Sequence, residues 1–405
     1  RIMEPQPETA TATVRVCGQD IQTTAEELEL AGLQVKDPAD FTALSQVVNL
    51  RTITLSKMTF SDAGWESLVA GIKGSPHLTH LNLTACGLGP KHAADLAGIF
   101  SSGGCNITTL CLAKNDALTG KRSRDNDNRA PWIYGEKTEG WVALCSALPS
   151  TMISLDFSGC ALKPKSLTPL TDAIAKMPAV NSLTLDSNGI FGEIYSDGDV
   201  KEADKFVVEV QPLLDALKTS SITSLSLRST GMGVKGVVAV ADAIRAMAAL
   251  ALMNISFNKI GAEGGTALVE ALKTSNIKFL GIGKQYTTAD GLLITRSRVQ
   301  TGVNLFLAGR SGEIVEIYDE DPEYFKLKWQ DDGSTSDFID IKTMDGAPLN
   351  LPLQSNFDGE SLDLSQQQLD PGYVKILAWW LTTPFSASIA RISVSSNPIG
   401  VEGAT

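Results

Sequence analysis

One apolar pattern recurs along most of the chain and limits the folds that it can adopt. The pattern has the form L-x-x-L-x-L-x-x-N/C-x-L/I, and its clearest copies begin at Leu78, Val180 and Leu250. Adjacent copies lie mostly 27 to 30 residues apart, a period that predicts stacked structural repeats. Weaker copies begin at Leu50, Ile107, Met152, Ile222 and Ile277, and two more lie near residues 362 and 389.

Each copy combines two periodicities. Leucine-type residues alternate in the first half, as in Leu81 and Leu83, and this period of two predicts a short β-strand. Segments of helical period follow, for example at 235–247 and 262–273. A single strand–turn–helix unit cannot bury its own apolar face, so we expect strands to stack in a parallel ladder and helices in a second layer.

This repeat resembles that of the leucine-rich repeat proteins, specifically the long-repeat class typified by ribonuclease inhibitor. The resemblance covers residues 50–285 and 359–405, with a degenerate capping repeat at Leu28, Leu30 and Leu33. It implies an α/β solenoid with a concave parallel ladder and convex helices. The ninth position of the pattern is expected to bond the backbone where each strand turns away, and its residues are Cys86, Asn115, Cys160, Asn188, Asn258 and Asn397.

The spacing of the pattern divides the chain into four parts. We expect an extended N-terminal segment at 1–20, repeats at 21–290, a linker and inserted module at 291–356, and further repeats at 357–405. Two wide gaps, of 45 and 42 residues, also separate copies within the main series. These gaps place a first insertion near 116–138 and a second near 191–205, and a solenoid tolerates both because loop-closure entropy grows slowly with length.

Residues 312–341 replace the pattern with three short β-rich segments. Polar turns join the segments, including an Asp-Gly pair, and predict an antiparallel meander. The segment resembles the small SH3-like barrels of Tudor and similar modules, whose strands commonly carry a trailing W-x-D-G-S pattern. That resemblance implies a small barrel-like module and a candidate cation-binding cage of Tyr318, Tyr324 and Trp329, although strand alternation places Tyr324 on the opposite face from Trp329.

The net charge of the chain argues against two classes of partner. It contains 34 Lys and Arg residues against 46 Asp and Glu, which gives a net charge of −12. Such a surface repels nucleic-acid phosphates and anionic lipids, so we expect protein partners and no nucleic acid. The most apolar stretch, 237–255, contains Asp242 and Arg245, and no transmembrane segment is expected.

No residue cluster in the sequence indicates catalysis or a metal site. The three histidines are His77, His80 and His92, and the last is expected to open a helix on the side of the repeat away from the other two. No Cys-x-x-Cys pair occurs among the six cysteines, and a phosphate-binding Gly-x-x-x-x-Gly-Lys-Ser/Thr loop is absent. We therefore expect no catalytic residues, no bound metal and no cofactor.

The segment 231–236 has the Gly-x-Gly-x-x-Gly pattern of a dinucleotide-binding turn, between a predicted strand and a predicted helix. The next repeat places Gly261 and Gly264 at the positions of Gly233 and Gly236. These glycines therefore belong to the turn of the repeat.

The cysteines and sequons bear on the cellular compartment. Thiols without an evident partner suit a reducing compartment, although six cysteines leave disulfides open. Of the sequons at Asn82, Asn106 and Asn254, the first and last fall inside predicted strands, where glycans would crowd one another. We expect an intracellular and most simply cytoplasmic protein, and import into an organelle stays open.

The predicted concave face carries mostly small neutral residues, whereas the insertions contain the types that anchor interfaces. The candidate partner-binding residues are Lys121, Arg122, Arg124, Arg129, Trp132 and Tyr134 in the first insertion, and Tyr318, Tyr324 and Trp329 in the module. The alternative for each aromatic residue is packing within its own domain. The first insertion shows no strand or helix period, so we expect an exposed loop.

The leading hypothesis is a non-catalytic interaction scaffold or an accessory subunit of a multiprotein complex. One alternative is an activator of a small GTPase, because Ran GTPase-activating proteins share the long-repeat architecture; a GTPase stimulation assay separates the two. Those activators usually carry a strongly acidic tail, whereas this sequence ends in a further repeat. A second alternative is a reader of methylated peptides through the Tudor-like module.

Overall fold

The computed structural model describes residues 12–103, 105–123, 132–135, 137–195, 199–287, 293–294, 301–302, 304–307, 310–317, 324–330, 333–336, 339–340, 347–365 and 367–404. The chain divides into two compact units, residues 1–184 and 185–405.

The first unit alternates strands and helices. Its helices are α1 (Asp62–Lys73), α2 (Pro90–Ser101), α3 (Glu139–Ala147) and α4 (Pro164–Ile174), and a 3-10 helix spans Thr42–Gln46. Its strands are β1 (Thr13–Val16), β2 (Gln19–Gln22), β3 (Glu27–Ala31), β4 (Gln34–Val35), β5 (Thr52–Ser56), β6 (Thr59–Phe60), β7 (His80–Thr84), β8 (Thr109–Cys111), β9 (Lys121–Ser123), β10 (Trp132–Tyr134), β11 (Ser154–Asp156) and β12 (Ser182–Thr184).

A parallel ladder runs through the first unit in the order β3, β5, β7, β8, β11, β12. The predicted pattern residues align across it as one row, and each is at most 2% exposed. Helices α1 to α4 pack each against the next, and this burial is the main source of stability for the stacked repeats. The row consists of Leu28, Ile53, Leu81, Leu110, Leu155 and Leu183.

The N-terminal segment that the sequence presents as extended contains an antiparallel hairpin of β1 and β2. Cys17 and Gly18 form its turn, both with positive φ, as a two-residue hairpin turn requires. The N–H of Cys17 donates to the carbonyl of Asp40, and Val16 and Phe41 are fully buried. The hairpin thereby covers apolar residues at the start of the first unit.

The second unit contains five helices among its described residues: α5 (Val207–Lys218), α6 (Val234–Ile244), α7 (Gly261–Leu272), α8 (Pro371–Leu381) and α9 (Gly400–Ala404). Helices α6 and α7 match the predicted segments to within three residues. The strands are β13 (Glu193–Ile194), β14 (Val200–Glu202), β15 (Ser224–Ser226), β16 (Leu252–Asn254), β17 (Phe279–Thr287), β18 (Leu293–Ile294), β19 (Asn304–Leu307), β20 (Arg310–Ile317), β21 (Tyr324–Trp329), β22 (Ile339–Asp340), β23 (Ala347–Pro352), β24 (Ser361–Asp363) and β25 (Arg391–Ser393).

Strand β17 has two roles in the second unit. Its first three residues continue the parallel ladder of β15 and β16. Residues 279–285 of the strand also pair with β23 in antiparallel register, from Phe279 opposite Pro352 to Gln285 opposite Ala347. The two strands lead out to the inserted segment and back, and the repeat pattern resumes with the parallel pair β24 and β25.

The ninth-position asparagines join neighbouring repeats, as the sequence pattern predicts. The side-chain amide of Asn115 donates to the carbonyls of Leu112 in its own repeat (2.8 Å) and Leu83 in the preceding one (2.9 Å). Its carbonyl oxygen accepts the N–H of Leu88 at 2.9 Å. Asn258 and Asn397 make the equivalent bonds in the second unit.

Cysteine occupies the same position at two joints of the first unit and bonds differently. The thiol of Cys160 donates to the carbonyl of Leu112 at 3.0 Å, and that of Cys86 donates to the carbonyl of Leu55 at 3.4 Å. A thiol is a weak donor and lacks the carbonyl oxygen with which asparagine accepts a backbone N–H. The two cysteine joints therefore have fewer and weaker hydrogen bonds.

Candidate functional site

Several polar side chains on the ladder face bond to one another within their own repeats. In three repeats an Asn or Asp side-chain oxygen accepts both the N–H and the hydroxyl of the residue two positions later. These pairs are Asn82 with Thr84, Asp156 with Ser158, and Asn254 with Ser256. Two of the predicted sequons, those at Asn82 and Asn254, are members of this set, and Asn254 is only 6% exposed.

Cys111 links two of these pairs in the first unit. Its sulfur lies 3.3 Å from the hydroxyl of Thr84 and donates to the carboxylate of Asp156 at 3.5 Å. Burial, followed by the charge of Asp156, raises the pKa of Cys111 to about 11. Both influences favour the protonated thiol, which is a weaker nucleophile than the thiolate.

Arg228 is the large cation on the ladder face of the second unit. Its guanidinium carbon lies 4.8 Å from the ring centre of Phe257, and its backbone N–H donates to Asp186 at 2.9 Å. A guanidinium over an aromatic face is held by a cation–π interaction. Arg228 thus already has an intramolecular partner.

The first insertion contains an antiparallel hairpin, and the expectation of a loop without strands is wrong. Strand β9 pairs with β10, with Lys121 opposite Tyr134, Arg122 opposite Ile133 and Ser123 opposite Trp132. The predicted site residues Lys121, Arg122, Trp132 and Tyr134 therefore lie at paired positions of one ribbon. Arg124 and Arg129 lie outside the described residues.

Two glycines close the base of this hairpin. The N–H of Gly135 donates to the carbonyl of Gly120 at 3.1 Å, and the N–H of Lys137 donates to that of Thr119 at the same distance. Gly120 and Gly135 have φ values of +90° and +79°. Glycine suits both positions because other residues rarely adopt this conformation.

The second insertion is tied to helix α6 through one carboxylate. Asp204 accepts the backbone N–H groups of Gly233 (2.7 Å), Lys235 (2.7 Å) and Gly236 (2.8 Å), at the start of that helix. These donors would otherwise lack partners, and the positive end of the helix dipole favours a negative charge there. Asp204 is thus a helix cap supplied by an insertion 29 residues away.

Asp204 also explains the Gly-x-Gly-x-x-Gly pattern. A Cβ atom at Gly233 would lie 2.6 Å from one carboxylate oxygen of Asp204, and one at Gly236 would lie 2.7 Å from the other. A Cβ atom at Gly231 would likewise lie 2.6 Å from the backbone of Gly192. The glycines make room for the insertion, and the place where a dinucleotide phosphate would bind holds a side chain of the same molecule.

Asp370 performs the same task one repeat later. It accepts the N–H of Gly261 at 2.7 Å, at the start of α7, and those of Gly372 and Tyr373 in the first turn of α8. Burial raises its pKa above the usual value, against the effect of these N–H groups. The repeat pattern marks neither aspartate, although Asp370 followed by Pro371 is a recognisable start of a helix.

The inserted module contains a four-stranded antiparallel sheet in the order β19, β20, β21, β22. Three of its strands match the predicted segments, and β19 is additional. Ile314, Phe325 and Leu327 are fully buried in it. Half-buried Trp329 pairs with Gly312, Tyr324 begins β21, and Tyr318 lies outside the described residues.

The three histidines lie where the repeat pattern places them. His80 begins strand β7, His77 precedes it, and His92 lies in the first turn of α2. Within the described residues, no group of three or more His, Cys, Asp and Glu side chains could hold a metal ion. None of the helices described above is long and apolar enough to cross a bilayer.

The family model described as "Leucine Rich repeat" matches two stretches of the sequence, residues 74–96 and 253–269. The first includes strand β7 and the beginning of α2, and the second runs from β16 into α7. This chain contains leucine-rich repeats. Proteins with such repeats generally bind other proteins along their stacked surfaces.

Several solved leucine-rich repeat structures are distantly similar. An internalin (inlF) from Listeria monocytogenes is 15% identical with a TM-score of 0.36, over 66% of this chain and 64% of that one. LegL7 from Legionella pneumophila is 18% identical with a TM-score of 0.38, over 63% and 72%. Internalin C2 from L. monocytogenes is 15% identical with a TM-score of 0.36, over 65% and 85%.

The chain therefore spans less than two thirds of the length of the inlF internalin. No curated protein sequence matches it.

Proposed function

We propose that this protein is a non-catalytic interaction scaffold or accessory subunit, and that the first insertion, residues 116–138, binds its protein partner. The ladder face is the surface that leucine-rich repeats commonly use. Here three Asn or Asp side chains are bonded to a Thr or Ser of their own repeat, and Arg228 is stacked on Phe257. This internal pairing is the observation that directs the proposal to the insertion.

The composition of the first insertion supports the proposal. Four cations, Lys121, Arg122, Arg124 and Arg129, and the aromatic residues Trp132 and Tyr134 lie within 14 residues. Trp, Tyr and Arg are the types that carry most of the binding energy at interfaces. On a chain of net charge −12, this basic tract offers an acidic partner an attractive site, so association should weaken as salt is added.

The test removes the charges and the aromatic anchor separately. Lys121, Arg122 and Arg124 are replaced together by Ser, and Trp132 is replaced by Ala in a second variant. Recovery of native partners from extract is measured at several salt concentrations, together with the melting temperature of each variant.

A matched control replaces Lys201 and Lys205 by Ser, because these lysines of the second insertion pair with Glu193. We expect both first-insertion variants to lose partners without a fall in melting temperature, while the control keeps them. Partners retained by both first-insertion variants would contradict the proposal.

A further inference from the structure

His92 holds the start of helix α2 in the manner of a capping residue. Its Nδ1 atom accepts the N–H of Gly89, the residue before the helix, at 2.9 Å. A Glu or Gln commonly fills this role three residues into a helix. Unlike those residues, a histidine can accept at Nδ1 only while that nitrogen carries no proton.

The ring of His92 is also packed between α1 and α2. It lies edge-on to the indole of Trp65, with ring centres 4.6 Å apart and an interplanar angle of 81°. The indole N–H of Trp65 donates to Asp95 of α2 at 2.9 Å, and the ring of Phe60 packs against the same indole. The histidine is therefore half-buried in the contact between two helices.

The start of α2 in turn supports the first insertion. The N–H of Leu88 donates to the side chain of Asn115, one residue before the insertion begins. After the C-terminal end of the insertion, Gly140 of α3 lies so close to the carbonyl of Pro90 that no side chain would fit between them. The segment from Leu88 to Pro90 thus contacts the residues on both sides of the insertion.

We propose that the His92 cap is an acid-sensitive joint: protonation of the ring releases the start of α2 and loosens the residues that anchor the first insertion. A proton on Nδ1 would face the N–H of Gly89, so that two donors meet and the bond is lost. The charge would also stand at the positive end of the helix dipole, which disfavours it.

The surrounding charges are consistent with a histidine that is neutral at pH 7. Burial, the largest influence, lowers the pKa of His92, and Lys91 lowers it further. Asp95 on α2 and Asp62 on α1 act in the opposite direction without reversing the shift. Helix α3, on the other side of α2, carries exposed Glu139 in its first turn.

The sign of the pH effect follows from this direction. Because the pKa of His92 is lower in the folded protein than in the unfolded chain, the unfolded state binds the proton more readily. The cap therefore contributes its full stability above about pH 6.5, the ordinary value for histidine. That contribution is lost as the pH falls through this value towards the folded pKa.

The first measurement uses the unmodified protein. The chain has three histidines, so the imidazole proton resonances are assigned with His77→Gln and His80→Gln and then titrated by NMR. We expect the His92 resonance to titrate below the ordinary histidine value. Titration at or above that value would overturn the proposal, and this result needs no variant at His92.

The second measurement compares His92→Gln with the unmodified protein. Glutamine keeps an acceptor for Gly89 but takes up no proton in this range. We expect the unmodified protein to lose stability to urea between pH 7.5 and pH 5.0, and hydrogen exchange at 117–120 and 137–140 to rise after correction for intrinsic rates. Over the same pH range, His92→Gln should lose less of its stability. The variant with both His77→Gln and His80→Gln should behave like the unmodified protein. Equal losses of stability in the unmodified protein and in both variants would refute the proposed joint.

Discussion

The first and second insertions follow the same landmark, the ninth-position asparagine of a repeat, and each precedes a helix. Asn115 and α3 flank the first, and Asn188 and α5 flank the second. The second is fixed to its unit by Asp204 on α6, by the contact of Gly192 with Gly231, and by the Lys259 ammonium on the carbonyl of Val200 at 2.8 Å. At the base of the first, a Cβ atom at Gly120 would meet Lys137 at 2.9 Å, whereas one at Gly135 would have ordinary van der Waals space.

This difference separates a structural use of an insertion from a recognition use. The lysines of the second insertion pair with its own carboxylates, Lys201 and Lys205 with Glu193, and Lys205 also with Glu202. Because these lysines already form ion pairs within the second insertion, their charges contribute little attraction to a binding partner. Residues 121–134 of the first insertion contain four cations against two carboxylates, together with two large aromatic residues, and Arg, Trp and Tyr are the types enriched at interfaces.

The sharpest test exchanges glycine for alanine at one position beside each insertion. Gly231 and Gly135 both have positive φ values, +77° and +79°, so alanine at either position costs backbone strain on the order of 1–2 kcal/mol. A Cβ atom at Gly231 would also lie 2.6 to 2.7 Å from the backbone of Gly192, whereas one at Gly135 would have 3.9 Å to Lys163. We expect Gly231→Ala to destabilise the protein by about 4 kcal/mol in urea unfolding, since overpacking adds to the strain. Equal losses of stability in Gly231→Ala and Gly135→Ala would contradict the view that the second insertion is packed more tightly at this point than the first.

Removal of the Asp204 carboxylate should have the next largest effect. Asp204→Ala leaves three backbone N–H groups at the start of α6 without their acceptor, and we expect a loss of about 3 kcal/mol in the free energy of unfolding. Asp204→Asn keeps one acceptor oxygen and should lose less. An alanine variant as stable as the unmodified protein would show that the second insertion is not held by this cap.

The two capping aspartates, Asp204 and Asp370, also show which features of the structure the sequence could and could not predict. The leucine row, the ninth-position asparagines and helices α6 and α7 follow from local periodicity, because each depends on residues within one repeat. Asp204 contacts Gly233 across 29 residues and Asp370 contacts Gly261 across 109, and no periodic pattern encodes such pairs. The sequence does not predict the hairpin of the first insertion because its strands, three residues each, are too short to show alternation.

Deletion of each hairpin extends the comparison to whole segments. Replacement of residues 121–134 by two Gly-Ser pairs retains the bond between Gly120 and Gly135, and we expect a change of about 1 kcal/mol or less, because loop-closure entropy varies slowly with length. The matched deletion of residues 193–203 removes the hairpin that carries Asp204 to α6. Circular dichroism and limited proteolysis should show a folded first variant and a loosened second one; the reverse order would contradict the assignment.

The smallest effect is expected at Glu193. Hydrogen bonds from Lys205 and Lys201 lower its pKa to about 2, yet the lysines are exposed and water screens the pairs. Glu193→Gln should therefore leave the denaturation midpoint within experimental error at pH 7. Since the folded pKa is lowered, any contribution is present above about pH 4.5 and disappears between pH 4.5 and 2, and a larger effect at pH 7 would show that the ion pairs help to fix the insertion.

The two cysteine joints have a consequence for how the first unit opens. The joint at Asn115 is closed by a donor and an acceptor, whereas the joints at Cys86 and Cys160 rely on a thiol. Transient separation of repeats should therefore begin at the cysteines. Both thiols are buried and protonated in the closed state, since burial raises the pKa of each. An alkylating reagent can reach them only while neighbouring repeats are separated. The rate at which each thiol is modified in the native protein therefore measures how often the repeats on either side of it separate.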